Sequence, residues 1–343
     1  MNDLIIAIRV GSPGSSVKLV GRAFDSFRRN IGACDWRVLI SLGLNIDPAV
    51  SRFVKRYVSI HSGNFRVFQE KNVSWASFIN AAIREAGACR YFVKSHDDIE
   101  LLTGDFYGKV SGYLERLGRE VGWVSFTDTG WKYGDFSPSV RSGYHIDHRQ
   151  ENGWDRRKLF QFHVFPENWW KRGPLADTFY HFCNYSLRKL TGKTLPYPKP
   201  VGRIRGLVAD MPAGIVRCHA PFNHFVLIRM ETLNKIGDCD DWGTGNALLV
   251  DEDWGLRALR LNFPNIWVPD IEYFHFRGNK AGGNTRSWDI IKEDIDKVEG
   301  FFLEKWGFHS EPTDEELEIV REKFKNTLIP WSMTRRSYDW DYL

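Results

Sequence analysis

The sequence predicts an α/β protein with a mostly parallel, doubly wound sheet flanked by helices, an aromatic-rich insertion and C-terminal helices. Three observations predict it. Short continuous apolar runs alternate with stripes at steps of three and four through the first 126 residues. That alternation breaks down between 129 and 212, where Gly, Pro, His and aromatic residues crowd together. It resumes after Gly214 and ends in two helical stripes. A run apolar on both sides suits a strand covered on both faces, whereas a stripe of period 3.6 suits a helix with one buried face.

Leu4-Ile5-Ile6-Ala7-Ile8 is the first strand and stops at the turn cluster Gly11-Ser12-Pro13-Gly14. Val17, Val20, Phe24, Phe27 and Ile31 mark a helix, and Arg37-Val38-Leu39-Ile40 the second strand. Val50, Phe53, Val54 and Tyr57 mark the next helix, and Phe65-Arg66-Val67-Phe68 the third strand. A helix through Phe78, Ala82 and Ala86 leads to the strand Tyr91-Phe92-Val93. Phe106, Val110, Tyr113, Leu114 and Leu117 form another helical stripe before the strand Val121 to Phe126. After the insertion come the strand Phe225-Val226-Leu227-Ile228 and a short helix from Glu231 closed by Gly237. A helix from Glu252 to Arg260 and the strand Ile266-Trp267-Val268-Pro269 follow. Trp288, Ile291, Ile295, Val298 and Phe302, then Leu317, Val320, Phe324 and Leu328, predict two helices that pad the core. The resulting division is 1–128, an insertion at 129–212, a second half of the core at 213–285 and a helical extension at 286–343.

Composition narrows the function classes. The net charge is +4, and the richest basic stretches, Lys55-Arg56 and Arg156-Arg157-Lys158, are short. A nucleic-acid binder concentrates basic residues on one element, so no nucleic-acid partner is expected. The mild excess suits an anionic ligand, and a peripheral contact with an acidic membrane face stays open. Five cysteines without a CxxC pair argue against a disulfide framework or zinc ribbon and favour a reducing cytoplasm. With no apolar run of spanning length and no N-terminal signal pattern, a cytoplasmic protein is expected.

Three constellations carry chemistry. In Tyr91-Phe92-Val93-Lys94-Ser95-His96-Asp97-Asp98, a strand runs into adjacent carboxylates where α/β sheets place ligands. Hard oxygen ligands there suit Mg²⁺ or Mn²⁺ completed by phosphate and water; alternatively the two acids end a strand or cap the helix beginning near Thr103. In Asp251-Glu252-Asp253, three acids open a helix. One of them is placed to take a proton from a hydroxyl, although the helix dipole alone also favours acids at that position. In Val268-Pro269-Asp270-Ile271-Glu272-Tyr273-Phe274-His275, a histidine follows a strand, with Arg277 and Lys280 in a Gly-rich loop able to grip a diphosphate; alternatively the histidine is a satisfied structural residue and the loop a solvated basic turn. In the insertion, Trp131, Tyr133, Trp169 and Trp170 offer faces for stacking a sugar, or simply pack.

The order of these elements resembles the GT-A-fold glycosyltransferases, specifically glycosyltransferase family 2. The chain shows Asn72, Asn80, Ala82 and Ala86 at the spacing of that family's third helix, then His96-Asp97-Asp98 in place of its DxD-like motif. Arg229 and Gly237 match the "FxLxRxxxxxxG" stretch, Glu252-Asp253 the "ED" motif, and Val268-Pro269 with His275 the "vP…H" segment. His96 stands where the family usually has Asp, Ser74 replaces Gly, Ile79 replaces Arg, and Leu42-Gly43 replace an Asp-rich strand end.

The resemblance implies a GT-A-type (Rossmann-like) fold and a metal-dependent, inverting glycosyltransferase of glycan or polysaccharide synthesis. It would use a nucleotide-diphosphate sugar donor, a glycan or lipid-linked acceptor, and Mn²⁺ or Mg²⁺. Carried over, Asp98 and His275 become metal ligands, and Arg9, Gly11, Asn80, His96, Asp97, Arg277 and Lys280 contact the donor. Asp253 becomes the base, with Asp251 as the register alternative and Glu252 beside them, and the four insertion aromatics face the acceptor. Two rivals remain. A nucleotidyltransferase should carry a basic phosphate loop after the first strand, and Gly11 to Ser16 has no Lys-Arg pair. A non-catalytic sugar-binding protein of the same fold would not need acids in both motifs.

Overall fold

The computed structural model describes residues 2–11, 15–72, 74–118, 120–128, 216–218, 224–242, 249–276, 288–309 and 315–324. Strands β1 (Asn2–Val10), β2 (Trp36–Gly43), β3 (Phe65–Asn72) and β4 (Cys89–Ser95) pair in parallel. They are linked by helices α1 (Val17–Asn30), α2 (Pro48–Ile60) and α3 (Trp75–Ala86). Then come β5 (Ile99–Leu101), α4 (Phe106–Leu117), β6 (Val124–Asp128), β7 (Val216–Cys218) and β8 (Phe225–Arg229). Helices α5 (Met230–Ile236) and α6 (Val250–Arg260), strand β9 (Asn265–His275), and helices α7 (Trp288–Trp306) and α8 (Leu317–Phe324) complete the described elements.

Among the described residues the sheet has nine strands, ordered β3-β2-β1-β4-β8-β6-β9-β5 with β7 beside β9. β8 runs antiparallel to β4 and β6, while β9 is parallel to β6. Six strands therefore share one direction, and the carboxyl ends of β4 and β9 lie at the same edge. The alternation expected of such a sheet is explicit in β1. Leu4, Ile6, Ile8 and Val10 join α1, α2 and α4 in one core layer, and Ile5 and Ala7 join α3, α5 and α6 in the other. Successive strand side chains point to opposite faces, so a strand with helices on both sides must be apolar throughout.

Local sequence sets the helix boundaries. Ser16 and Ser74 cap α1 and α3 by accepting hydrogen bonds from Leu19 and Ser77, and Asp47 caps α2, with Pro48 inside its first turn. Such a cap contributes on the order of 1 kcal/mol. Helix α6 has two apolar stripes. Val250, Trp254 and Ala258 face the sheet layer, while Leu256 and Leu259 pack with Phe302, Trp306, Phe308, Val320 and Phe324 of the C-terminal segment. The predicted padding role of α7 and α8 is thus directed at α6. No helix among the described residues is long and apolar enough to cross a membrane.

Candidate functional site

The main chain brings the first and third constellations together. Antiparallel pairing of β5 with β9 sets Ile99 opposite His275, and Phe276 donates its N–H to the Asp98 carbonyl at 2.9 Å. Asp98 therefore lies beside the end of β9. His275 Nε2 is 3.0 Å from Asp98 Oδ1, and His96 Nδ1 is 3.9 Å from the same oxygen. Asp98 is 8% and His275 5% exposed, so this contact is largely withdrawn from water. Neither Asp97 nor Asp98 caps a helix: α4 starts after Asp105, three residues beyond the predicted start.

Asp97 turns instead to the loop after β1. Its Oδ2 accepts hydrogen bonds from the Ser15 hydroxyl and, at 3.4 Å, from the Gly11 N–H. Burial, then the neighbouring Asp98 charge, raise its pKa to about 7, against the pull of those donors. Gly11 itself has φ +114°, and a Cβ there would sit 3.0 Å from Ile46 Cβ and 3.2 Å from the Gly43 nitrogen. Only glycine suits that bend. Arg9, two residues earlier, is half-buried on β1 in register with Ser41.

The acids of α6 part company. Residues two apart on a helix lie about 200° apart around its axis. Asp251 faces the sheet, where Lys94 Nζ on β4 donates to it at 2.5 Å; Lys94 is fully buried and also lies 5.2 Å from the Trp75 ring. Asp253 faces the C-terminal helices. Its carboxylate accepts from Trp306 Nε1 at 2.9 Å and pairs with Arg257 at 2.7 Å and Lys305 at 2.6 Å. Asp240 bridges the same two cations from outside. Glu252, between them, is half-buried. The structure thus joins Asp251, not Asp253, to the strand that carries His96 to Asp98.

Asn80 makes a two-way clamp with the Cys239 main chain, donating to its carbonyl and accepting from its N–H, both at 2.8 Å. Arg277, Lys280, Trp131, Tyr133, Trp169 and Trp170 lie outside the described residues.

Sequence reasoning missed three contributors. Lys94 carried a signal, because a charge directly after three apolar strand residues needs a buried partner. Ser15 sat in a turn cluster read only for its glycines. His224 gave no local signal. It precedes β8, its carbonyl accepts the His96 N–H at 2.8 Å, and its ring lies 3.8 Å from that of His275 and 4.9 Å from that of His96. The carboxylate of Asp98 and the surrounding imidazoles are donors that fit a divalent metal ion.

No protein-family model and no curated protein matches this sequence. Solved structures similar in fold include GalNAc-T7 with UDP, GalNAc and Mn²⁺ (TM-score 0.56, 10% identity, 99% of this chain and 57% of that one). They also include the mannosyltransferase PcManGT of Pyrobaculum calidifontis with GDP-Man and Mn²⁺ (0.48, 11%, 81% and 58%). A third is S. aureus TarS 1-349 with UDP-GlcNAc (0.49, 11%, 94% and 72%). The chain spans little more than half the length of the first two. At 10% identity, the likeness to GalNAc-T7 is one of fold. The GT-A-type fold expected from the sequence is the fold of this chain.

Proposed function

We propose that the chain is a metal-dependent glycosyltransferase, moving a sugar from a nucleotide-diphosphate sugar to an acceptor hydroxyl with inversion at the anomeric carbon. The observation that carries this reading is the Asp98–His275 pair at the carboxyl edge of a GT-A-type sheet. Ligands of such sheets collect at that edge. The UDP, GalNAc and Mn²⁺ in the GalNAc-T7 structure agree with a nucleotide-diphosphate sugar and a divalent ion here.

Asp98 and His275 hold the ion, which when bound supplies Lewis acidity to the departing diphosphate. Asp97 fixes the loop after β1 through Ser15 and Gly11, giving the donor a rigid wall beside His96 and Arg9. Asn80 holds the Cys239 main chain and is assigned, with Arg277 and Lys280, to donor contact as the family resemblance implies. Asp251 takes the proton from the acceptor hydroxyl. That oxygen attacks the anomeric carbon while the bond to the diphosphate breaks on the opposite face, which inverts the centre. Lys94 orients Asp251, and Asp253 anchors the helix that carries it. Glu252 and the aromatics Trp131, Tyr133, Trp169 and Trp170 meet a glycan or lipid-linked acceptor. Mild positive charge suits work in glycan or polysaccharide synthesis at a cytoplasmic membrane face.

Calorimetric titration of nucleoside diphosphates with Mn²⁺ or Mg²⁺, alongside slow hydrolysis of a nucleotide-sugar panel, tests the reading. Asp98→Asn is expected to abolish metal-dependent nucleotide binding while leaving the thermal melt unchanged. Unaltered diphosphate binding in that variant refutes the assignment.

A further inference from the structure

The metal centre read above from Asp98 and His275 has more nitrogen around it than that pair supplies. His96, His224 and His275 each offer a ring nitrogen, and the three ligand atoms lie within 4.8 Å of one another. They arrive from three separate segments: the turn after β4, the approach to β8 and the end of β9. Each is fixed by main-chain structure. His96 and His224 are joined by the 2.8 Å hydrogen bond between their backbones, Ser95 pairs with Phe225 in the β4–β8 ladder, and His275 pairs with Ile99. The convergence is therefore a property of the sheet. Asp98 Oδ1, 3.0 Å from His275 Nε2 and 3.9 Å from His96 Nδ1, lies at the rim of the same cluster.

We propose that His96, His224 and His275, with Asp98, form one nitrogen-rich centre that selects a first-row transition-metal ion over Mg²⁺. Imidazole suits first-row ions such as Zn²⁺, Fe²⁺ and Ni²⁺, and affinity for nitrogen sites rises from Mn²⁺ through Co²⁺, whereas Mg²⁺ demands oxygen ligands at a short octahedral distance and gives up water reluctantly. Two nitrogens bound to one ion at about 2.1 Å are roughly 3–3.5 Å apart, so rotation of the rings by about 1 Å closes the set. The separation of Asp98 Oδ1 from His275 Nε2 already matches that of neighbouring ligands on one ion. Trp75, edge-on to His96 at 5.5 Å, limits how far that ring can swing away. The ion's role with donor phosphates rests on the proposed function; its selection by three imidazoles does not.

The test uses the full chain, stripped of metal and with no nucleotide present. Co²⁺ is titrated in and followed by its visible ligand-field absorption, then competed with Mg²⁺. Tight Co²⁺ binding that survives about a hundred-fold excess of Mg²⁺ is expected, and His224→Ala, which removes a direct ligand, should weaken it by at least the roughly 10–100-fold cost of losing an outer-shell partner. Pulsed electron paramagnetic resonance of the Mn²⁺-loaded wild-type chain supplies a reading free of any variant, in which nitrogen couplings from histidine are expected. Equal affinity for Co²⁺ in wild type and His224→Ala, ready displacement by Mg²⁺, or Mn²⁺ spectra without nitrogen coupling overturns the proposal. Metal binding with no nucleotide affinity would leave it standing and remove the transferase reading. Nucleotide binding through Mg²⁺ alone, indifferent to His224, would do the reverse.

Discussion

Replacing Asp253 by Asn separates an anchor from a base. The amide keeps the volume of the carboxylate and one oxygen for Trp306 Nε1, so the 2.9 Å hydrogen bond survives. Lost are the charge-assisted contacts to Arg257 at 2.7 Å and Lys305 at 2.6 Å. A hydrogen bond to a charged group contributes about 1.5–3 kcal/mol, and these two together would reach roughly 3–6 kcal/mol if nothing compensated. Compensation exists. Asp240 remains within 2.7 Å of Arg257 and 2.6 Å of Lys305, and both cations are partly open to water. The net cost should fall to about 2–3 kcal/mol, near the lower end of breaking a buried pair. Urea denaturation, read as a lowered midpoint at constant slope, measures it. Turnover under conditions where the variant is folded should stay within a few-fold of wild type. Asp251→Asn should instead lower kcat by about 10²–10⁴-fold with donor affinity intact, the loss expected of a general base. An Asp253→Asn chain of unchanged stability with abolished transfer, beside an active Asp251→Asn, would refute the argument from helix geometry.

Lys94→Ala leaves Asp251 buried without its cation and should cost about 3–5 kcal/mol in urea denaturation; Lys94→Ala combined with Asp251→Ala should cost less than the sum of the two, which a double-mutant cycle reads. Gly11→Ala forces a side chain into a left-handed bend against Ile46 and Gly43, and should lower stability by about 1–3 kcal/mol by thermal melt and weaken nucleotide binding. Burial lifts the thiols of Cys34, Cys89 and Cys239 to about 12 each, so they remain protonated at neutral pH. Peptide mapping after brief alkylation should find all three unmodified in the folded chain and modified in denaturant.

Most of the architecture was legible because each core strand is apolar on both faces and each helix carries one stripe. The three-residue strands β5 and β7 were not, since three residues carry no periodicity. The reversed direction of β8 was equally hidden: its apolar run reads the same from either end, and its partners are decided across the sheet. At the site, the carboxylates after β4 announced themselves by position. The partition of Asp251 and Asp253 was half legible, because a separation of two residues on a helix dictates opposite faces. Which face met the sheet depended on Val250 and Trp254 packing there while Leu256 and Leu259 met α7 and α8. His224 could not be found from sequence, as its partners are 128 positions before and 51 after it, by the numbering of His96 and His275.

The packing of α7 against α6 means the last part of the chain completes a charge balance. Asp240 and Asp253 face Arg257 and Lys305, two negative groups against two positive, and Lys305 comes from α7. A chain cut at 286 would lose one cation and the Trp306 donor together. An excess negative charge would be left against apolar surface beneath the helix that bears Asp251. Removing the helical extension at 286–343 is therefore expected to disturb α6. A shortened version would pull that helix toward water from the side opposite the sheet, loosening the grip between Asp251 and Lys94.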